Sequence, residues 1–232
     1  MSAPDAAVLD DPVGETLRGH HAHLARRFGV AASYLPDVAT FSSVSADPGE
    51  AEWTDLARLL GSRAFADMFS CPATPPKDWE PVFTLEGLQM VGPDEYRPGH
   101  TDDATRVVEL GPGDVPDMLD LIARTQPGPF WPRTHELGTY VGIREHGVLV
   151  SMAGERLRPS GWTEISAVCT APEARGQGHA ARLIRTLTAR ITARNERPFL
   201  HVSSANTGAV ALYGRLGFEV RKHVTFRGFR TP

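Results

Sequence analysis

The chain is poor in cysteine. Cys71 and Cys169 are its two, far apart in sequence. A disulfide framework or a cysteine zinc cluster is therefore not expected, and a reducing, cytoplasmic setting fits. Lysine is equally scarce: Lys77 and Lys222 stand alone among many arginines. A lysine Schiff base or lysine general base has few candidates. No apolar run reaches the ~18 residues that a membrane helix needs, so no membrane partner is expected. The formal net charge is −4. Without a basic excess, nucleic acid and anionic membranes are poor partners. Met1–Asp11 is rich in Ala and Asp and lacks a basic region before an apolar core, so no secretory signal is expected.

Apolar residues are plentiful, at 41% of 232. That suffices for one large domain or two small ones with real cores. A Pro-, Gly- and acid-rich break falls at Gly92–Asp103. It suggests an N-terminal module over 1–100 and a second domain over 103–232. The first half offers helices at Thr16–Phe28 and Glu52–Leu60 and β-type pieces at Ala64–Phe69 and Glu80–Val91. His20, His21 and His23 lack a nearby carboxylate or cysteine, so they read as surface histidines and no metal site is expected.

The second half is patterned more cleanly. Strands are expected at Thr105–Leu110, Thr139–Arg144, Val148–Arg156, Thr163–Thr170, Phe199–Ser203 and Glu219–Phe226. Glu145-His-Gly147 reads as a tight hairpin turn. Asp114-Val-Pro opens a helix with a cap residue and an early proline. Gln177–Arg194 carries a buried stripe of Leu183, Ile184, Leu187 and Ile191, and Thr207–Leu216 is a helix ended by Gly217. The order β-α-β-β-β-α-β-α-β implies an α/β fold, a mixed sheet with helices on both faces.

Val168-Cys-Thr-Ala-Pro-Glu-Ala-Arg-Gly-Gln-Gly-His-Ala180 carries the chemistry. A β-type run ends in a glycine-punctuated loop, and a helix starts inside that loop. Gly176 and Gly178 allow close backbone approach. Gln177, Gly178, His179 and Ala180 would expose N–H groups at a helix N-terminus, where phosphate binds. Arg175 adds a cation. Taken alone, the segment equally fits an ordinary strand-to-helix turn. It is neither a P-loop nor a dinucleotide fingerprint. Asn206 and Tyr213 lie two helical turns apart and share a face, although Asn206 also suits a helix cap and Tyr213 a core position with a wet hydroxyl.

Together these segments resemble the GCN5-related N-acetyltransferases (GNAT). Arg175-Gly-Gln-Gly-His-Ala180 is similar to that family's pyrophosphate motif, with Ala180 as the accepted alternative to a final glycine. Phe199-Leu-His-Val202, Asn206-Thr-Gly-Ala209, Leu212-Tyr213 and Leu216-Gly-Phe218 are similar to the second half of the fold. The resemblance covers about Thr105–Phe229 and is strongest to the FR47-like subgroup, which resembles glycine N-acyltransferases here. It implies a GNAT fold preceded by a smaller, degenerate GNAT-like module before residue 100. It also implies acetyl-CoA as co-substrate, no metal, and direct attack by a primary amine of a small or amino-acid-like acceptor. A non-catalytic acyl-CoA-binding module and a protein N-terminal or lysine acetyltransferase are the alternatives.

The same resemblance assigns roles. Val168 and Thr170 would hold the acyl carbonyl and pantetheine arm at a bulged strand. Arg175, Gly176, Gln177, Gly178, His179 and Ala180 would hold the pyrophosphate, and Asn206 the pantetheine side. Tyr213 would protonate the departing thiolate. Glu164 shares alternation parity with Val168 and Thr170, which makes it the expected base, with Glu155 in second place. Cys169 should point the other way, into the core. The Pro127–Glu136 loop would build the acceptor pocket, with Phe130 and Trp131 as a wall and Arg133 and Glu136 selecting charge. The last strand, Glu219–Phe226, would offer an edge for pairing two copies into a homodimer.

Overall fold

The computed structural model describes residues 4–93 and 106–232. Asp11 accepts from the Gly14 amide and Pro12 follows it, so helix α1 begins early, at Pro12–Arg18. Gly19 ends it. The expected helix over Thr16–Phe28 therefore stops at Arg18. Its remainder pairs as a hairpin of β1 (Ala25–Phe28) with β2 (Ala31–Tyr34), turning at Gly29, where φ is 57°. With β3 (Ser42–Ser43) these strands make a small three-stranded sheet. Helix α2 (Glu50–Leu60) and strands β4 (Phe65–Phe69) and β5 (Glu80–Val91) complete the first half, close to expectation.

In the second half, β6 (Val107–Leu110) leads to α3 (Val115–Thr125). The meander β7 (Tyr140–Glu145), β8 (Val148–Glu155) and β9 (Trp162–Thr170) follows. The β7–β8 turn has His146 at φ 51° and Gly147 at φ 86°, the double left-handed geometry of a tight hairpin. Then come α4 (His179–Ala193), β10 (Arg197–Ser203), α5 (Thr207–Arg215) and β11 (Glu219–Arg230). Among the described residues the main sheet has eight strands in the order β4-β11-β5-β10-β9-β8-β7-β6. It is antiparallel apart from the β9–β10 pair.

The fold is thus the expected mixed α/β sheet, but its halves interleave. β5, from the first half, lies between β10 and β11, and β4 closes that edge. The break anticipated at Gly92–Asp103 lies outside the described residues beyond Pro93, and the main sheet is shared across it. β11 is paired with β5 along its length and with β4 only over Phe226–Arg230, so of the expected edge Glu219–Phe226 only Phe226 has a second strand beside it among the described residues. No helix among the described residues is long and apolar enough to cross a membrane.

The principal core gathers α3, α4 and the central strands, with Leu121, Met152, Leu183 and Leu187 fully buried. A second core joins α1 and β2 to Leu137, Trp162 and Phe199. His21 fastens that junction and is buried, contrary to the expectation of a surface histidine. Its Nε2 donates to the Leu137 carbonyl (2.9 Å), and its Nδ1 accepts from the Tyr34 hydroxyl (3.0 Å). Burial, with His20 beside it, lowers its pKa from 6.5 to about 4. The unfolded chain binds this proton more readily than the fold does. Stability from neutral His21 is therefore complete above pH 6.5 and lost as pH falls toward 4. The loss should reach ~3 kcal/mol. Urea midpoints between pH 7 and pH 4 should fall more steeply for the wild-type chain than for His21→Gln, which keeps both hydrogen bonds without titrating; parallel curves would refute the assignment.

Candidate active site

The site forms where β9 leaves β10. The strands pair over Trp162–Glu164 and Arg197–Phe199, and no pairing continues beyond Phe199. On its other edge β9 stays with β8 through a bulge: Gly154 faces Ser166 and Met152 faces Cys169, so Ala167 and Val168 both stand opposite Ala153. Ala167 adopts φ 52° there. Past Glu164 the β10-facing edge of β9 has backbone N–H and C=O groups with no ladder partner. They border a cavity of about 390 Å³ lined by Val168, Thr170, Ala180, Asn206 and Tyr213 at one end.

The glycine loop sits at that end. Gly176 and Gly178 have φ of 80° and 79°, and a Cβ at either would meet nothing within 4 Å. Their glycines are required by backbone shape, and the space beside them is open. Gly178 caps α4 without any side chain over the first turn. The opening amides of a fifteen-residue helix are left as donors. Gln177 is exposed, and exposed Arg175 folds back so that its Nε donates to the Thr170 carbonyl (3.3 Å). His179 points the other way: it is buried, with Nε2 bonded to Glu145 (3.0 Å). Its side chain anchors the loop to the β7–β8 hairpin, which leaves the loop only its backbone amide.

Asn206 is the cap of α5, its Oδ1 accepting from the Ala209 amide (3.1 Å), and it also borders the cavity. Tyr213 is 8% exposed and packs against Phe218. Burial pushes its pKa up to about 12, so its hydroxyl remains a proton donor at neutral pH.

Glu164 is not where strand parity put it. The bulge adds a residue between Glu164 and Thr170, so the two face opposite sides of the sheet. Thr170 shares a face with Ser151, whose hydroxyl lies 2.8 Å from its own. Glu164 instead faces the N-terminal half, fully buried in a closed network. Arg156 Nε and Nη2 donate to its two oxygens (2.8 and 2.7 Å). His201 Nδ1 donates to Oε1 (2.6 Å). The His201 tautomer follows from its other nitrogen, which accepts from the Gln89 amide (3.1 Å). Burial alone would raise the Glu164 pKa, but Arg156 and His201 outweigh it and hold the carboxyl at about 2. His201 is kept neutral by burial against the pull of Glu164. A carboxylate this acidic, with both oxygens engaged, is a weak base. Its role is to hold Arg156 and His201 at the floor of the cavity.

Other expectations shift as well. Glu155 is buried on the α4 face, bonded to Arg194 (2.8 Å) and the Thr139 amide (3.3 Å), away from the cavity. Phe130 packs edge-on against Tyr140, and Trp131 is 40% exposed in a separate crevice with Val38 and Phe41. Pro127, Gly128 and Pro129 supply the cavity wall expected of Phe130 and Trp131. Arg133 and Glu136 bond each other at the surface. Arg156, Ser166, His201, Phe69, Leu85 and Phe226 also line the cavity and were not anticipated. No local motif marks them, because three-dimensional register alone assembles them. Cys169 is buried as expected, though it reaches the cavity wall. No group of three or more metal-ligating side chains occurs among the described residues.

A parallel strand pair splayed over a donor-rich helix N-terminus, with a tyrosine on the following helix, is the arrangement of a transferase of the GNAT class. The FR47-like protein family matches residues 140–227. A crystal structure described as an acetyltransferase of the GNAT family, from Novosphingobium aromaticivorans, is 36% identical, covers 97% of this chain and 98% of its own, and superposes with a TM-score of 0.86. The chain belongs to the GNAT acetyltransferase family. A GCN5-related N-acetyltransferase from Kribbella flavida shares the fold at 18% identity, with 100% and 97% coverage and a TM-score of 0.64. A GCN5-related N-acetyltransferase-like protein from Streptococcus suis does so at 16% identity, with 97% of both chains covered and a TM-score of 0.59. No curated protein matches the sequence.

Breaking the Glu164 network should show its structural weight. Glu164→Gln leaves the Arg156 guanidinium buried without its countercharge and should cost about 3–5 kcal/mol in chemical denaturation. Replacing both partners with apolar residues should recover much of that loss.

Proposed function

We propose that the protein moves an acetyl group from acetyl-CoA to the amino group of a small acceptor, in a reducing, cytoplasmic compartment. The carrying observation is the cavity between the splayed strands, which joins the bare N-terminus of α4 to the Tyr213 hydroxyl. The amides of Gln177 to Ala180 and the Arg175 guanidinium are suited to the cofactor's pyrophosphate. The unpaired edge of β9 around Val168 and Thr170 suits the pantetheine amides. Asn206 stands beside that arm.

The chemistry asks little of the chain beyond positioning. A neutral amine attacks the thioester carbonyl, a C–N bond forms and the C–S bond breaks. A backbone N–H at the bulge would stabilise charge on the carbonyl oxygen. Tyr213, held in its protonated form by burial, gives its proton to the departing sulfur. The amine's own proton goes to water, because neither Glu164 nor His201 has a free basic site. The rest of the acceleration comes from holding two reactants in one cavity.

Two substitutions test this reading. Gly178→Glu puts a carboxylate into the open space at the α4 N-terminus, and acetyl-CoA affinity in calorimetry should fall by more than about tenfold. Gly178→Ala carries the backbone strain without the charge and should lose less. Equal losses would remove the anion-binding role. Tyr213→Phe should lower kcat by ~10²-fold or more while sparing acetyl-CoA affinity. Unchanged turnover would make Tyr213 a packing residue and leave thiolate protonation to water.

A further inference from the structure

We propose that the acceptor is a small amine carried on an apolar or aromatic body, with no second charged group. Strands β4 and β5 of the N-terminal half contribute to the surface that selects it. This inference rests on reading the cavity as an acetyl-transfer site.

The end of the cavity away from the glycine loop is aromatic and apolar. Phe69 and Phe226 stack with centroids 4.7 Å apart and planes 4° from parallel, and His201 stands edge-on to Phe69 at 4.9 Å. Leu85, Pro127 and Pro129 complete this end. Phe69 comes from β4 and Leu85 from β5, so two strands of the first half reach the site. Ser166 and Ser203 add neutral polar groups.

Charge decides the class of ligand. Among the described residues, Arg156 is the one charged side chain that lines the cavity. Its guanidinium is already bidentate to Glu164 and lies 4.5 Å above the Phe69 ring. An acceptor carboxylate would meet a cation whose charge is spent, and would be desolvated against phenyl rings without compensation. A second ammonium would find no free carboxylate either, since Glu164 is fully buried behind Arg156 and His201. His201 has both nitrogens engaged and adds no charge. An aryl or alkyl group, by contrast, gains contact with Phe69, Phe226 and Leu85 at no electrostatic cost.

The test compares 2-phenylethylamine, glycine and 1,4-diaminobutane as acceptors with the full chain and acetyl-CoA, reading free thiol. Phenylethylamine should lead in kcat/KM by about a hundredfold, the scale on which a site rejects a group it cannot pair. Phe69→Leu should raise KM for phenylethylamine by about tenfold, the loss of one good aromatic contact, with the acetyl-CoA KM unchanged. Leu85→Ser, at a position 54% exposed and so free of folding demands, should raise the same KM several-fold. Glycine or the diamine reacting as well as phenylethylamine would overturn the inference. So would both variants keeping the wild-type KM. Acetyl-CoA binding is measured alongside by calorimetry. No binding, or binding without acetylation of any amine, would overturn the enzymatic reading itself; binding with a preference for charged acceptors overturns the acceptor class alone.

Discussion

β9 exchanges one neighbour for another at Glu164. Trp162–Glu164 pair with β10, while Glu164 also exchanges backbone hydrogen bonds with Arg156 and Leu157 just past β8; from Ile165 to Thr170 the strand pairs with β8 alone. Beyond Glu164 the bulge at Ala167 and Val168 twists the strand away, and a wedge opens. Unpaired strand edges inside a protein are costly unless something else ties the strands. Here the tie sits at the parting point: Glu164 is the last residue of β9 in register with β10, and its carboxylate is bonded to His201 on β10 and Arg156 just past β8. The rivet keeps the strands from separating further upstream, and the bulge keeps them from closing downstream.

The two halves of the chain contribute to opposite ends of that wedge. The second half provides the glycine loop, the α4 N-terminus, Asn206 and Tyr213. The first half reaches in with Phe69 and Leu85 and supports His201 through Gln89, whose amide also donates to the Leu9 carbonyl (2.8 Å). The same amide plane accepts from Arg221 through its oxygen (2.8 Å), so the network runs from the N-terminal segment to β11. The glycine loop and Tyr213 thus come from one half, and the apolar end of the cavity is drawn from both.

How much of this was legible in the chain depends on the range of the interactions involved. The strands and helices of the second half follow from local period, caps and glycines, and the β7–β8 turn from Glu145-His-Gly147 alone. The glycine loop and Tyr213 were readable because the signal is a compact motif. Glu164 was misread for a physical reason: alternation holds only while pairing is regular, and one inserted residue at Ala167 reversed the face. Glu155, Phe130 and Trp131 were chosen on residue type, yet burial against Arg194 and Tyr140 took the first two out of the site. Arg156, His201 and Phe69 had no signature because strands distant in sequence bring them together. The helix expected over Thr16–Phe28 ended at Gly19, where hairpin pairing won over helical propensity.

The position of β5 has a consequence for the order in which the molecule can be made. Glu80–Val91 is a central strand whose two neighbours, β10 (Arg197–Ser203) and β11 (Glu219–Arg230), lie far along the sequence from it. During synthesis this segment leaves the ribosome before either partner and must wait, both edges unpaired, until β10 and β11 have followed. Sheet closure is therefore a late, long-range event with a large loop-closure cost, of the kind that slows folding. While it waits, β5 is an aggregation liability, and its polar, charged stretch Thr84-Leu-Glu86 interrupts what would otherwise be a longer apolar edge. The interleaving that brings Phe69 and Leu85 to the cavity also ties its completion to the arrival of β10 and β11.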